Sequence, residues 1–185
     1  MTQDLTLGVR SGLPDALRIL VEELPRESWE SHPEFGGMVQ FWLDRHLMFR
    51  RLLAALEEDV QAVLDRQMAF ESYAPRLSRF GGMLLNQLHG HHQIEDMHYF
   101  PQLMQLDARV ARGFDLLEAD HGAMDGLLNG LAEGANAVLG AKTDGRDRAG
   151  EFARTLEGFH GLLDRHLVDE EEIIVPVILN SGFAG

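Results

Sequence analysis

Cysteine is absent from the 185 residues. That excludes disulfides, thiol nucleophiles, iron–sulfur clusters and thiolate zinc sites, so any metal has to be held by nitrogen and oxygen. Basic charge is scarce: 16 Lys and Arg stand against 30 Asp and Glu, for a net charge of -14. So acidic a chain repels the phosphate backbone, and neither nucleic acid nor an anionic membrane is an expected partner. No run of apolar residues approaches the length of a membrane span. The opening Met1-Thr2-Gln3-Asp4 lacks the basic and then apolar pattern of a secretory signal, and the expected location is cytoplasmic. Strand signals are sparse, with β-branched residues concentrated only at Ile173-Ile174-Val175. No flavin or nicotinamide motif is present, so redox chemistry would need a separate electron donor.

Apolar residues make up 45% of the chain, enough for one domain with a real core. They recur at spacings of three and four, which is helix periodicity. A short helix is expected from Pro14-Asp15 through Leu17, Leu20, Val21 and Leu24 to Pro25. Four long helices follow, at about 34–67, 76–105, 108–139 and 147–180. Breaks are expected at Tyr73-Ala74-Pro75, near Leu106-Asp107, and over Gly140-Ala141-Lys142-Thr143-Asp144-Gly145. Long helices on short connections predict an all-α, up-down-up-down four-helix bundle. Its expected extent is 33–182, with residues 1–32 as an N-terminal extension whose short helix packs on the bundle.

The inward seams follow from the same spacing. The first long helix offers Trp42, His46, Phe49, Leu53, Leu56 and Val60, and the second Leu84, Leu88, His91 and Glu95. The third offers Phe114, Leu117, His121, Met124, Leu128 and Leu131, and the fourth Phe159, Leu163, His166, Glu170, Ile173 and Val177. Each seam steps as bundle cores do, yet each carries a histidine, and two carry a glutamate as well.

These polar residues repeat. His91-His92-Gln93-Ile94-Glu95 leads to Pro101, and His166-Leu167-Val168-Asp169-Glu170 leads to Pro176. Both read His-x3-Glu-x5-Pro. At a constant offset, His46 maps to His121, His91 to His166, Glu95 to Glu170, and Leu53 to Leu128. The chain is a duplicated helical hairpin with its polar seam residues kept in register. A glutamate buried without a partner costs several kcal/mol or is driven to its neutral form. Two glutamates beside four seam histidines therefore need a common cause, and a dinuclear metal site is one. Residues four apart share a helix face, so a histidine can hold one cation while its glutamate spans both. Mixed imidazole and carboxylate donors suit iron, manganese or zinc.

At these residues the sequence resembles the hemerythrin-like (HHE) cation-binding family, over about 37–179. The lone His46 and His121, the two motifs, and Phe41-Trp42-Leu43-Asp44-Arg45-His46, which looks like bacterial members, carry the resemblance. It implies two non-haem iron ions in a four-helix bundle. His46 and His91 would bind one iron, His121 and His166 the other, and Glu95 and Glu170 would bridge. Oxygen carriers of the family have a fifth histidine one turn beyond the third-helix histidine. Here Asp125 stands at that place, as an additional candidate ligand, an outer partner or a solvated group. The departure weakens the oxygen-carrier reading. Glu171 lies at the offset from His166 that oxygen carriers use, and it competes with Glu170.

The implied function is binding or sensing of a diatomic ligand such as oxygen or nitric oxide. The alternatives are a redox enzyme acting on peroxide or nitric oxide, and an iron-handling or repair protein. His92 reads as a boundary residue on a flanking face, though some hemerythrin-like relatives use the residue after the histidine matching His91 as a ligand. His160 reads as an outer or surface residue, and His32 and His89 as exposed. Gly90, Gly122 and Gly126 flank the candidate ligands and would leave either a channel or looser packing. A ferritin-like reading rests on two Glu-x-x-His pairs, Glu95 with His98 and Glu118 with His121, neither of which survives the repeat.

Overall fold

The computed structural model describes residues 4–141 and 145–184. No strand occurs among the described residues. A 3-10 turn, Asp15–Leu17, precedes α1 (Ile19–Glu23) and α2 (Arg26–Trp29). The first long helix is α3 (Gly37–Leu64). Next, α4 (Phe70–Ile94) continues through a π-helical turn, Glu95–Tyr99, into α5 (Phe100–Leu103). The remaining long helices are α6 (Ala111–Leu139) and α7 (Arg146–Ser181). The fold is the expected all-α bundle with a short N-terminal helical extension. No helix among the described residues is long and apolar enough to cross a membrane.

Two features depart from the expected boundaries. Pro75 does not break a helix; it lies inside α4, which begins five residues earlier at Phe70. The helix there is held from outside. Tyr73 is fully buried, and Arg76 grips Asp59 of α3 with two hydrogen bonds, of 2.7 and 2.8 Å. Tertiary anchoring of this kind outweighs one hydrogen bond lost to proline near a helix start. The short N-terminal helix ends before Pro25 as expected, but it opens as the 3-10 turn ahead of α1, and a further short helix, α2, follows the proline. Of the expected break before α7, Lys142, Thr143 and Asp144 lie outside the described residues.

Every seam residue named from periodicity is buried. The chain divides into two compact units. The first comprises residues up to Leu47, His92–Ala123 and those from Leu163 onward. Its core joins Leu13, Leu17, Leu20 and Trp29 of the N-terminal segment to Trp42, Phe100, Phe114, Ile173 and Val177. Each such leucine contributes about 1.5–3 kcal/mol by leaving water, so the segment is an integral part of this unit. Gly113 lets α6 and α7 approach closely: a Cβ there would meet Ile173 Cδ1 at 2.7 Å.

The second unit comprises Met48–His91 and Met124–Leu162. It buries Phe49, Leu53, Leu56, Leu84, Leu88, Met124, Leu131, Phe152 and Phe159. Here α3 ends in a Schellman cap, with Gln67 N–H donating to Ala62 O at 2.8 Å and Arg66 N–H to Val63 O at 3.1 Å. The left-handed position of this cap holds Arg66, at φ 61°. A left-handed side-chain residue costs about 1–2 kcal/mol, which glycine avoids. Arg66→Gly is expected to raise unfolding free energy by about 1 kcal/mol after glycine's larger chain entropy is deducted. Urea denaturation checks this, and a lower midpoint would show that the arginine side chain supports the cap.

Candidate metal centre

The first unit gathers buried polar residues, with the half-buried Asp96, into one cluster. Helix α3 supplies Trp42 and His46, and the end of α4 supplies His92. The π turn supplies Glu95 and Asp96, α6 supplies Asp120 and His121, and α7 supplies His166, Glu170 and Glu171. The π turn starts at Glu95 itself, whereas the matching stretch of the repeat, from Glu170, is regular α-helix. A π turn adds a residue per turn and re-aims side chains, which is why such turns concentrate at functional sites. Here it delivers Glu95 to the interior, Asp96 to His121, and Tyr99 edge-on to Trp42 at a ring separation of 5.1 Å.

Three histidines share one arrangement, in which Nδ1 faces a carboxylate and Nε2 faces the interior. Nδ1 of His46 lies 2.9 Å from Glu171, that of His121 2.8 Å from Asp96, and that of His166 3.2 Å from Asp120. An Nδ1–H donated to a carboxylate fixes the ring and leaves Nε2 as the free donor, the usual arrangement behind metal-bound imidazole. Glu170 lies between two of these rings. Its Oε1 is 3.3 Å from His46 Nε2, and its Oε2 is 3.3 Å from His166 Nε2. The indole N–H of Trp42 donates to Oε1 and holds the carboxylate in place. Across the cluster, Glu95 Oε2 is 3.6 Å from His121 Nε2, and the Nε2 atoms of His121 and His166 face each other at 3.2 Å.

The ionisable groups of this cluster shift one another strongly. Burial pushes the Glu95 carboxyl well above the usual carboxylate range, and the charge of Glu170, a shared hydrogen bond and Asp96 push it further. Burial opposes protonation of His46, yet Glu170 and Glu171 outweigh it and raise the pKa. His166 is raised to about 9; burial again works against this, and Asp120 and Glu170 overcome it. The carboxylates around these rings favour positive charge on or beside the imidazoles.

Two groups of donors have the compactness a cation requires. His92, His121 and His166 bring ligand atoms within 4.8 Å of one another, and within this unit so do His46, Glu95 and Glu170. The structure therefore assembles five of the expected ligands: His46, Glu95, His121, His166 and Glu170. The sixth, His91, belongs to the second unit, where it is buried with its ring 5.1 Å from that of Phe49.

His92 is the residue sequence reasoning misplaced. It is buried, stacked on His121 at 4.0 Å and edge-on to His166 at 5.3 Å. The available signal was its repeat counterpart, Leu167, an apolar residue that is fully buried. The repeat also assigns Glu171. Its counterpart is Asp96, and the two perform the same task, one on His46 Nδ1 and one on His121 Nδ1. Glu170 faces the Nε2 atoms, and Glu171 does not.

The remaining candidates point elsewhere. Asp125 has a side chain 60% exposed, in a 3.6 Å ion pair with His89. His98 and Glu118 are exposed, which breaks both Glu-x-x-His pairs. His160 pairs with Glu57 at the surface. A Cβ on Gly90, Gly122 or Gly126 would meet nothing within 4 Å, and all three glycines are exposed. Asp125→Asn is therefore expected to leave metal content and spectrum unchanged, as elemental analysis and optical absorption would show. A lost metal ion would place Asp125 among the ligands.

The hemerythrin HHE cation-binding domain matches residues 37–178. The chain belongs to this family. No curated protein and no solved structure matches it. Its membership of the HHE cation-binding family and its buried histidine and glutamate groups together fit a metal-binding protein.

Proposed function

We propose that this HHE domain holds two iron ions and uses them to bind or sense a diatomic ligand such as oxygen or nitric oxide. The observation that carries the reading is Glu170, whose two oxygens each face the Nε2 of a different histidine at the same 3.3 Å. A carboxylate placed in this way suits a bridge between two cations, and Glu95 is its counterpart in the repeat. The ligand set proposed for one ion is His46 and His91, with His91 resting on the repeat. For the other it is His121 and His166, joined by His92. Five imidazoles and two carboxylates suit iron, while manganese and zinc accept the same donors. The resemblance to the hemerythrin-like family supports iron among these.

Ferrous iron with an open position supplies affinity for a small diatomic ligand. The protein's own residues do the rest. Burial of His46, Glu95, His166 and Glu170 keeps bulk water from the donors. Trp42 fixes the bridging carboxylate, and the three Nδ1 partners fix the rings. The test is to load the protein anaerobically with ferrous iron and record its optical spectrum before and after oxygen. A charge-transfer band that disappears when oxygen is withdrawn is the expected result. Irreversible conversion would replace this reading with redox catalysis on peroxide or nitric oxide, or with iron handling.

A further inference from the structure

The segment ahead of the family domain carries two arginines that end on the cluster. Arg10 has a side chain with no exposure at all. Its Nη1 donates to Asp120 Oδ1 at 2.8 Å, Nη2 donates to Asp120 Oδ2, and Nε donates to Asp169 Oδ2 at 2.8 Å. Its Nη1 also reaches Leu5 O at 2.9 Å, which ties the guanidinium to its own segment. Asp120 in turn faces His166 Nδ1. Arg26 repeats the pattern from α2. Its Nη1 donates to Glu171 Oε2 at 2.7 Å and its Nη2 to Val168 O at 3.0 Å, with the guanidinium 4.9 Å over the Trp29 ring. The other oxygen of Glu171 faces His46 Nδ1.

We infer that the N-terminal segment is a positioning arm for the metal centre, with Arg10 and Arg26 each holding the carboxylate that backs one metal-facing histidine. The inference rests on the metal reading above and goes beyond it. The chemistry is the same in both relays: arginine, carboxylate, imidazole Nδ1, then Nε2 toward the interior. A carboxylate backing an imidazole raises the donor strength of Nε2 and fixes the ring. A guanidinium on that carboxylate draws off part of its charge and restrains its rotation, through paired hydrogen bonds from Arg10 to Asp120 and through one from Arg26 to Glu171. The arm thereby sets the donor strength and orientation of His166 through Arg10, and of His46 through Arg26. Stability alone does not account for Arg10, because apolar residues commonly replace a buried ion pair at no loss. Both are positioning residues, since neither touches a proposed metal ligand directly.

The test uses the full chain loaded with cobalt(II), whose paramagnetism moves the ring N–H protons of bound histidines far outside the normal proton NMR range. Asp120→Asn and Glu171→Gln assign the His166 and His46 signals. Arg26→Gln is safe for folding, because the Arg26 side chain is 37% exposed. Arg10→Lys keeps the buried charge but loses the two-pronged grip. Arg26→Gln should shift the His46 N–H signal and spare that of His166, and Arg10→Lys should do the reverse. Cobalt affinity should fall in each, by less than the about 10–100-fold that follows loss of a partner touching the ligand itself. Unshifted signals and unchanged affinity in both variants, or the same shift of both signals in either, would overturn the arm. Wild-type protein that gives no shifted signals would instead overturn the metal reading on which the arm depends.

Discussion

Glu170→Ala is expected to retain at most one metal ion per chain, against the two proposed for the wild-type protein. The side chain lies between His46 and His166 with one oxygen for each, so its removal takes a donor from both positions at once. Losing a single outer partner weakens metal binding about 10–100-fold, and loss of a shared donor should reach or exceed the upper end of that range. The protein also loses stability in its metal-free form. The Trp42 indole N–H then has no carboxylate to accept its hydrogen bond, at a cost of about 1–3 kcal/mol for a buried donor. Elemental analysis of desalted protein and thermal denaturation check the two effects. Two tightly held ions in the variant would remove Glu170 from its bridging role and bring Glu171 back as the competitor.

Glu95→Leu separates function from stability. Glu95 is fully buried and faces Glu170, and its carboxyl is raised by burial first and by that neighbouring charge second. An apolar side chain of similar size removes both penalties. Removing the cost of burying this carboxyl and its repulsion with Glu170 should leave the metal-free variant more stable than the wild type. With metal present the order should reverse. A ligand at 100 times its dissociation constant adds about 2.7 kcal/mol to a protein that binds it, and the variant forgoes most of that gain. Paired denaturation curves with and without ferrous iron test both statements. A metal-free variant less stable than the wild type would make Glu95 a structural hydrogen-bonding residue.

The bundle and much of its centre were legible in the sequence because each rests on a period. Spacings of three and four fixed the helix faces, and the seam residues are buried as the spacing required. The duplication placed His46 with His121 and Glu95 with Glu170, and the structure gathers these four in one unit. What periodicity missed was local. Pro75 looked like a break because the sequence does not reveal that Tyr73 and Arg76 anchor the turn around it. His92 looked peripheral because an ideal helix puts adjacent residues about 100° apart, yet both it and its repeat counterpart Leu167 are buried. Asp96 and Glu171 were matched in the repeat all along, but their shared task appears only once the Nδ1 atoms have positions. Arg10 lies more than a hundred residues from both of its carboxylates, a distance that no local pattern spans.

The central claim is a pair of cations joined by Glu170 and Glu95. The most direct measurement is an anaerobic titration of the metal-free protein with iron-57 as ferrous ion, followed by desalting, iron analysis and Mössbauer spectroscopy after mild oxidation. The expected result is two irons per chain and a spectrum of two magnetically coupled ferric ions. Fewer than two tightly bound irons per chain, or two irons that show no coupling, would contradict it.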